Sequence, residues 1–280
     1  MGTRVTRRLV GAAMTGATYG AAVLAIVPLA AILGMLVTKG AGSIDFAFFT
    51  RSSVPLGESG GGFAHAIVGT LIIVGLACAI GIPVGVGVGI YLAEFGAGWL
   101  GWVVRYVADV LNGTPSIVIG IFAWTWLVKP MGTFSALAGG AALSVILVPI
   151  VARTTEEMVR LVPNSLREAA LALGYPRWRT SLQIVVRTAG TGILTGALVA
   201  MARVAGETAP LLFTALGNQF FSTRVSGPMA ALPLQVFVYA VGPYEEWRRQ
   251  AWAGALVLIL LVLSLGIAAR WMTRGQRARG

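Results

Sequence analysis

Arg203 and Glu207 stand four residues apart in the run Ala202-Arg203-Val204-Ala205-Gly206-Glu207-Thr208-Ala209-Pro210, inside an otherwise apolar stretch. An arginine or carboxylate at membrane depth costs at least about 2.5–3.5 kcal/mol, so it persists where it faces protein or a water-filled path. On a continuous helix this spacing puts both side chains on one face, within reach of an ion pair. Two roles fit. The pair can be a buried staple that fixes helix register, because pairing lowers the cost of burial. Alternatively, Arg203 offers a planar fork of donors to a passing oxyanion. Glu207 would then hold and partly neutralise Arg203, so that the anion can leave. Gly206 leaves space beside that face, and Pro210 removes a backbone donor one turn later.

A second run, Asn112-Gly113-Thr114-Pro115-Ser116-Ile117-Val118, also interrupts an apolar stretch. Thr114 before Pro115 predicts a helix start, with a capping hydroxyl and a proline at the first helical position. Gly113 predicts a break just before it. A helix restarting there presents free N–H groups and a positive dipole end to an anion at mid-membrane. Thr114 and Ser116 then join Arg203 and Glu207 as path residues. A proline kink that serves packing alone reads the same residues equally well. Asp109, one turn earlier, is placed at the cytoplasmic interface. Other chemistry is sparse. One histidine, one cysteine and no His-Glu-x-x-His leave little for metal or thiol catalysis. No catalytic residue, metal site or cofactor is assigned, and an enzyme is the poorest of the readings.

These residues must be carried by membrane helices. Hydrophobic residues make up 57% of the 280, charged residues 11%, and mean hydropathy is +0.83. A soluble domain typically carries about 25% charged residues. Since a spanning helix needs about 20 mostly apolar residues, six spans are expected, near 10–37, 66–92, 103–128, 134–152, 190–215 and 251–271. They form one domain over 1–280, an all-α polytopic bundle. Arg4, Arg7 and Arg8 precede an apolar run too long for a signal sequence, so the first span is expected to stay uncleaved. With the N-terminus inside, fourteen cations, Arg105, Arg153, Arg160 and Arg167 among them, fall on cytoplasmic segments against six outside. Both termini are therefore expected to be cytoplasmic. The net charge of +11 is mostly this topology signal and gives no reason to expect nucleic-acid binding.

Between the spans, the outer loop from Lys39 to Gly62 offers Phe46, Phe48 and Phe49 to the interface, and His65 is placed there too. Cys78 is a small packing residue. Gly81, Gly85, Gly87 and Gly89 let helices approach closely. In the outer segment 217–250, the apolar piece Ala230–Val241 is too short to cross and suits a re-entrant or interfacial element.

The largest inner loop, 153–187, contains Glu168-Ala169-Ala170-Leu171-Ala172-Leu173-Gly174, with Ile184 ten residues beyond the glycine. The run favours helix, and Gly174 suits a left-handed cap followed by a sharp turn. A second amphipathic helix from Pro176 would bury Trp178, Leu182, Val185 and Val186. Read from residues alone, this is a cytoplasmic helix–turn–helix. The run resembles the EAA loop of ABC importer permeases, by which the membrane subunit docks on its ATPase. That resemblance implies docking by Glu168, Ala169, Ala170 and Gly174.

Further runs resemble one family, the PstA-type permeases of phosphate ABC transporters. Gly192-Ile193-Leu194-Thr195-Gly196, Ala202-Arg203 and Gly206-Glu207-Thr208-Ala209-Pro210-Leu211-Leu212 are similar to that family's fifth span. Gly113-Thr114-Pro115-Ser116-Ile117-Val118 is similar to its third, and Ala230-Ala231-Leu232-Pro233 to the segment before its last. One departure is Ile184-Val185-Val186-Arg187, where the loop often ends Ile-x-Leu-Pro. The resemblance implies a six-helix type I ABC importer permease in a bacterial inner membrane. It further implies a PstC-like second permease, two PstB-like ATPase copies, an extracytoplasmic phosphate-binding protein, phosphate as cargo and lipid around the bundle. The chain has no Gly-x-x-x-x-Gly-Lys-[Ser/Thr], which fits ATP hydrolysis in a separate subunit. A permease for another oxyanion, sulfate or molybdate, shares the loop and the architecture. A passive channel would have no use for a docking loop.

Overall fold

The computed structural model describes the backbone of residues 2–54 and 60–277, and the side chains of 6–54, 60–267 and Trp271. Outside the described residues lie the orienting side chains of Arg4, Arg270, Arg274, Arg277 and Arg279, and residues 55–59 of the first outer loop. The chain is helical: α1 (Gly2–Gly40), α2 (Phe46–Thr50), α3 (Ala64–Glu94), α4 (Trp99–Gly113), α5 (Ser116–Met131), α6 (Ala136–Arg160), α7 (Asn164–Ala172), α8 (Arg177–Val204), α9 (Ala209–Thr214), α10 (Leu232–Ala240) and α11 (Glu245–Arg277). Among the described residues there is no sheet, only an isolated bridge between Leu216 and Met229.

α1, α3, α6, α8 and α11 are each long and apolar enough to cross a membrane, and α4 with α5 makes a sixth span only if the pair is counted together. That pair is bent by 103°, so the expected third span is not one straight helix. Pro115 has no N–H to continue the ladder and forces Thr114 into an extended conformation (ψ 130°). The expected fifth span is also divided. α8 ends at Val204, a turn follows, and α9 starts at Ala209 with Pro210 in its first turn. The loop expected over 153–187 is shorter, because α6 runs on to Arg160 and α8 already begins at Arg177.

α3 and α6 form the spine. Lipid tails are as apolar as leucine, so close packing, rather than escape from water, holds such helices together. A methyl added at Gly81, Gly85 or Gly89 would lie 2.8, 2.7 and 2.5 Å from Leu147, Val151 and Thr155 of α6. Gly87, expected to share this role, faces open space. Around the spine, Ile73, Leu143, Leu147, Val204 and Leu211 make a continuous core, with Cys78 packed at its margin. α1 has only 6% of its apolar window buried and packs through its end, where Gly40 lies against Trp252 of α11.

At one end of the bundle, the segments flanking α10 fold back into the protein. Phe48 is buried and stacks on Phe63 at 4.9 Å, while Phe46 and Phe49 are exposed; of the three phenylalanines, Phe48 is core, not interfacial. His65 is also buried, its Nε2 3.2 Å from Ser53 Oγ, and that hydroxyl donates to Gln219 O (3.1 Å). The Ala230–Val241 piece forms α10, pinned where Leu232 N–H donates to Thr70 Oγ1 (2.6 Å). Leu232, Leu234, Gln235 and Tyr239 are buried against the bundle, whereas Phe237 and Val238 are exposed.

Candidate functional site

The two helix breaks meet. Gly120 of α5 lies against Pro210 and Phe213, so a Cβ there would be 2.8 Å from Pro210 Cα. Between the breaks is a cavity of about 120 Å³, walled by Arg203, Glu207, Thr114, Ser116, Asn112 and Ile146. All four path candidates therefore line one space. Asn112 was not singled out from sequence, because a polar residue near a helix end has many ordinary uses.

Arg203 and Glu207 are not ion-paired among the described residues, which corrects the expectation from their spacing. A spacing of four stacks side chains only while the helix continues. Here it stops one residue after Arg203, and Gly206 and Glu207 turn back, their N–H groups donating to Arg203 O (3.2 Å) and Val204 O (3.1 Å). The two charges reach the cavity separately, Arg203 exposed in the isolated chain and Glu207 half-buried.

Thr114 is likewise differently employed. It closes α4 instead of capping α5, its Oγ1 donating to Val110 O (2.7 Å). Pro115 occupies the cap position and α5 has no side-chain cap. Val118 N–H turns back to Pro115 O (2.9 Å), leaving Ser116 and Ile117 as first-turn donors without an intrahelical partner. The cavity thus gathers a guanidinium, a carboxylate, two hydroxyls and the positive end of a helix. Such a set can hold an oxyanion, and the carboxylate can accept a hydrogen bond from one that still carries a proton.

The second candidate region is α7. Gly174 adopts φ +83°, Tyr175 N–H donates to Ala170 O (3.1 Å) and Gly174 N–H to Leu171 O (2.9 Å). This is the Schellman closure, which requires the left-handed residue. Glu168, Ala169 and Gly174 are exposed. Ala170 is buried, so it seats α7 on the bundle instead of offering a contact surface. α8 buries Val185 and half-buries Val186, whereas Trp178 and Leu182 are exposed; Thr180 and Ser181 take the buried face.

Beneath α7 lies a charge network that sequence reasoning counted only as topology. Glu156, with 3% of its side chain exposed, accepts from Arg105 (2.7 Å), Arg153 (3.3 Å) and Arg160 (2.6 Å). Asp109 takes Arg153 in a forked pair (3.0 and 3.0 Å). Arg167 of α7 binds Glu94 at the end of α3 (2.9 Å) and Val159 O at the end of α6 (2.9 Å). Ser181 Oγ donates to the other oxygen of Glu94 (2.8 Å). The available signal was Glu156 itself, an acid three and four residues from arginines on one helix.

The profile of the binding-protein-dependent transport system inner membrane component family matches residues 85–278. A phosphate transport system permease protein PstA from Yersinia pestis is 50% identical over 240 residues, covering 85% of this chain and 81% of the relative. Its counterpart from Xylella fastidiosa strain Temecula1 is 47% identical over 266 residues, covering 94% and 92%. This chain belongs to the PstA permease family. The PstA-family fold extends further, to an inward-facing structure of the MetNI methionine ABC transporter. That likeness has a TM-score of 0.64 at 20% identity, covering 75% of this chain and 94% of that one. In this PstA-family member the runs Gly113–Val118 and Gly206–Leu212 each contain a helix break.

Proposed function

We propose that this chain is the membrane permease subunit of an ATP-driven importer of inorganic phosphate, forming half of the path and hydrolysing no ATP itself. The observation that carries the reading is the cavity where Arg203, Glu207, Thr114 and Ser116 converge on two helix breaks. Family membership supports the transport class. Glu207 supports the cargo: at neutral pH phosphate keeps a proton and can donate it to a carboxylate, whereas sulfate and molybdate have none to give. Arg203 and the α5 start would attract the anion, and the unpaired Glu207 would accept its O–H while limiting net attraction.

The assembly that follows has a PstC-like second permease, two PstB-like ATPases, one of them docked on α7 through Glu168, Ala169 and Gly174, and an extracytoplasmic phosphate-binding protein. It sits in a bacterial inner membrane with both termini cytoplasmic, surrounded by lipid and without nucleic acid. Closure of the ATPase pair would pull α7 and, through Arg167, the ends of α3 and α6. The test is radiolabelled phosphate uptake with sulfate as competitor, corrected for membrane abundance. Arg203→Gln should abolish uptake, and Glu207→Gln should let sulfate compete. Normal uptake by Arg203→Gln would overturn the path assignment, and unchanged selectivity in Glu207→Gln would overturn the role of the carboxylate.

A further inference from the structure

A larger cavity, about 300 Å³, lies between the end of α3, the end of α6, α7 and the start of α8. Its volume lies at the low end of the range of small-ligand pockets, about 300–1,000 Å³. Its walls carry Arg160, Arg167 and Arg177 against the single carboxylate of Glu94, with Asn164 and Ser181 beside them. The transport path does not use it. We infer that this cavity is a second oxyanion site for a phosphoryl-type dianion, either free phosphate or the phosphomonoester headgroup of phosphatidic acid.

Three observations support the assignment. The first is charge. Across the cavity and the ion-pair network behind it, Arg105, Arg153, Arg160, Arg167 and Arg177 face Glu94, Asp109 and Glu156, an excess of two positive charges. A dianion would balance that excess. The second is unspent donor capacity. Arg177 makes no side-chain hydrogen bond or ion pair among the described residues, and Asn164 uses its carbonyl oxygen on Arg167 (3.2 Å), which leaves its amide N–H groups available. Arg160 shares one carboxylate with two other guanidiniums. Planar guanidiniums converging on one space suit a phosphoryl group, which they can grip by paired hydrogen bonds.

The third is position. Arg167 is the residue that ties α7 to α3, through Nε and Nη2 to Glu94 Oε1 (3.1 and 2.9 Å). A dianion entering the cavity competes with Glu94 for that guanidinium and bridges it to Arg160 of α6 and Arg177 of α8. Occupancy therefore changes how firmly the docking helix is held. On the topology proposed above this mouth faces the cytoplasm, so the regulatory consequence rests on that reading. Anion accumulated inside, or anionic lipid alongside, would reset the coupling of the permease to its ATPase.

The experiment measures binding, which does not depend on transport. The full chain is placed in phosphatidylcholine nanodiscs carrying Arg203→Gln, which disables the path cavity, and titrated with radiolabelled inorganic phosphate. Arg177→Gln in that background should weaken binding about tenfold, equivalent to about 1.4 kcal/mol, while Arg177→Lys should weaken it less. The Arg177 side chain has no hydrogen-bond or ion-pair partner among the described residues, so its replacement leaves the ion-pair network intact. A parallel arm uses mixed phosphatidylcholine–phosphatidic acid discs and native mass spectrometry of retained lipid. Arg177-dependent retention of phosphatidic acid without phosphate binding assigns the lipid as the source. If neither probe binds in an Arg177-dependent way, the second site does not exist. Failure of the path reading shows differently: Arg203→Gln would leave total phosphate binding at its wild-type level, with the Arg177 dependence still readable.

Discussion

Glu156 and Arg203 are both charges in an apolar bundle, and their surroundings divide their roles. Glu156 is buried and bound by three guanidiniums, while Arg203 has no ionic partner among the described residues and faces a cavity. Removing one member of a buried ionic cluster leaves the others uncompensated, at a cost on the order of 3–5 kcal/mol. Glu156→Gln keeps the shape but strands Arg105, Arg153 and Arg160, so it should lower the thermal midpoint and the membrane yield. Arg203→Gln should leave both near wild type while removing uptake. Because Arg203 and Glu207 do not pair, the double variant Arg203→Gln, Glu207→Gln should show the sum of the single effects on stability. A thermal-shift series in detergent, run beside uptake, checks all of this. A stability deficit in Arg203→Gln that the double variant repairs would restore the staple reading.

At the scale of elements, the helix ends matter more than the helices. Gly174 holds φ +83° with open space around its missing Cβ, so conformation alone limits what can replace it. A left-handed L-residue costs roughly 1–2 kcal/mol, more if β-branched. Gly174→Val should unwind the Schellman closure and displace the exposed Glu168 and Ala169, while Gly174→Asn, which tolerates that region, should retain function. Uptake and ATP hydrolysis stimulated by the binding protein should fall together in the valine variant, with insertion unchanged. Stimulated hydrolysis at the wild-type level in Gly174→Val would remove α7 as the docking element. This element was legible because a Gly after a strong helix former has one dominant meaning. The break at Thr114–Pro115 was legible for the same reason, yet the role of Thr114 was not. Whether a hydroxyl caps the next helix or closes the previous one depends on a 103° bend that no local pattern encodes. The fifth-span break was hidden, because nothing in Ala205-Gly206-Glu207-Thr208 forbids a helix and Pro210 sits in the first turn of the helix that follows, where it is tolerated. The Arg105–Glu156 and Arg167–Glu94 pairs join residues 51 and 73 positions apart, a separation at which spacing carries no information.

For the whole molecule, the described surface is unfinished on one side. α4 and α5 expose Val107, Val110, Ile117, Ile121, Phe122 and Trp126, and Arg203 is open in the same isolated chain. Lipid can cover the apolar side chains but cannot solvate the guanidinium. A wall made by another protein chain accounts for both, which is why the path is proposed as shared with a PstC-like subunit. Two neighbouring positions separate this arrangement from a lone permease. Ile117 lies on the exposed apolar surface of α5, whereas Ser116 lines the cavity. In a Cys78→Ala background, Ile117→Cys should react with a small water-soluble maleimide in the detergent-purified chain. It should be protected in every nucleotide state once second permease and ATPase are co-purified. Ser116→Cys should instead alternate between reactive and protected as nucleotide is added, because the cavity opens to one side at a time. Equal labelling of Ile117→Cys in the lone chain and the complex would mean that the α4–α5 surface faces lipid. Labelling of Ser116→Cys that ignores nucleotide would mean that the break serves packing alone.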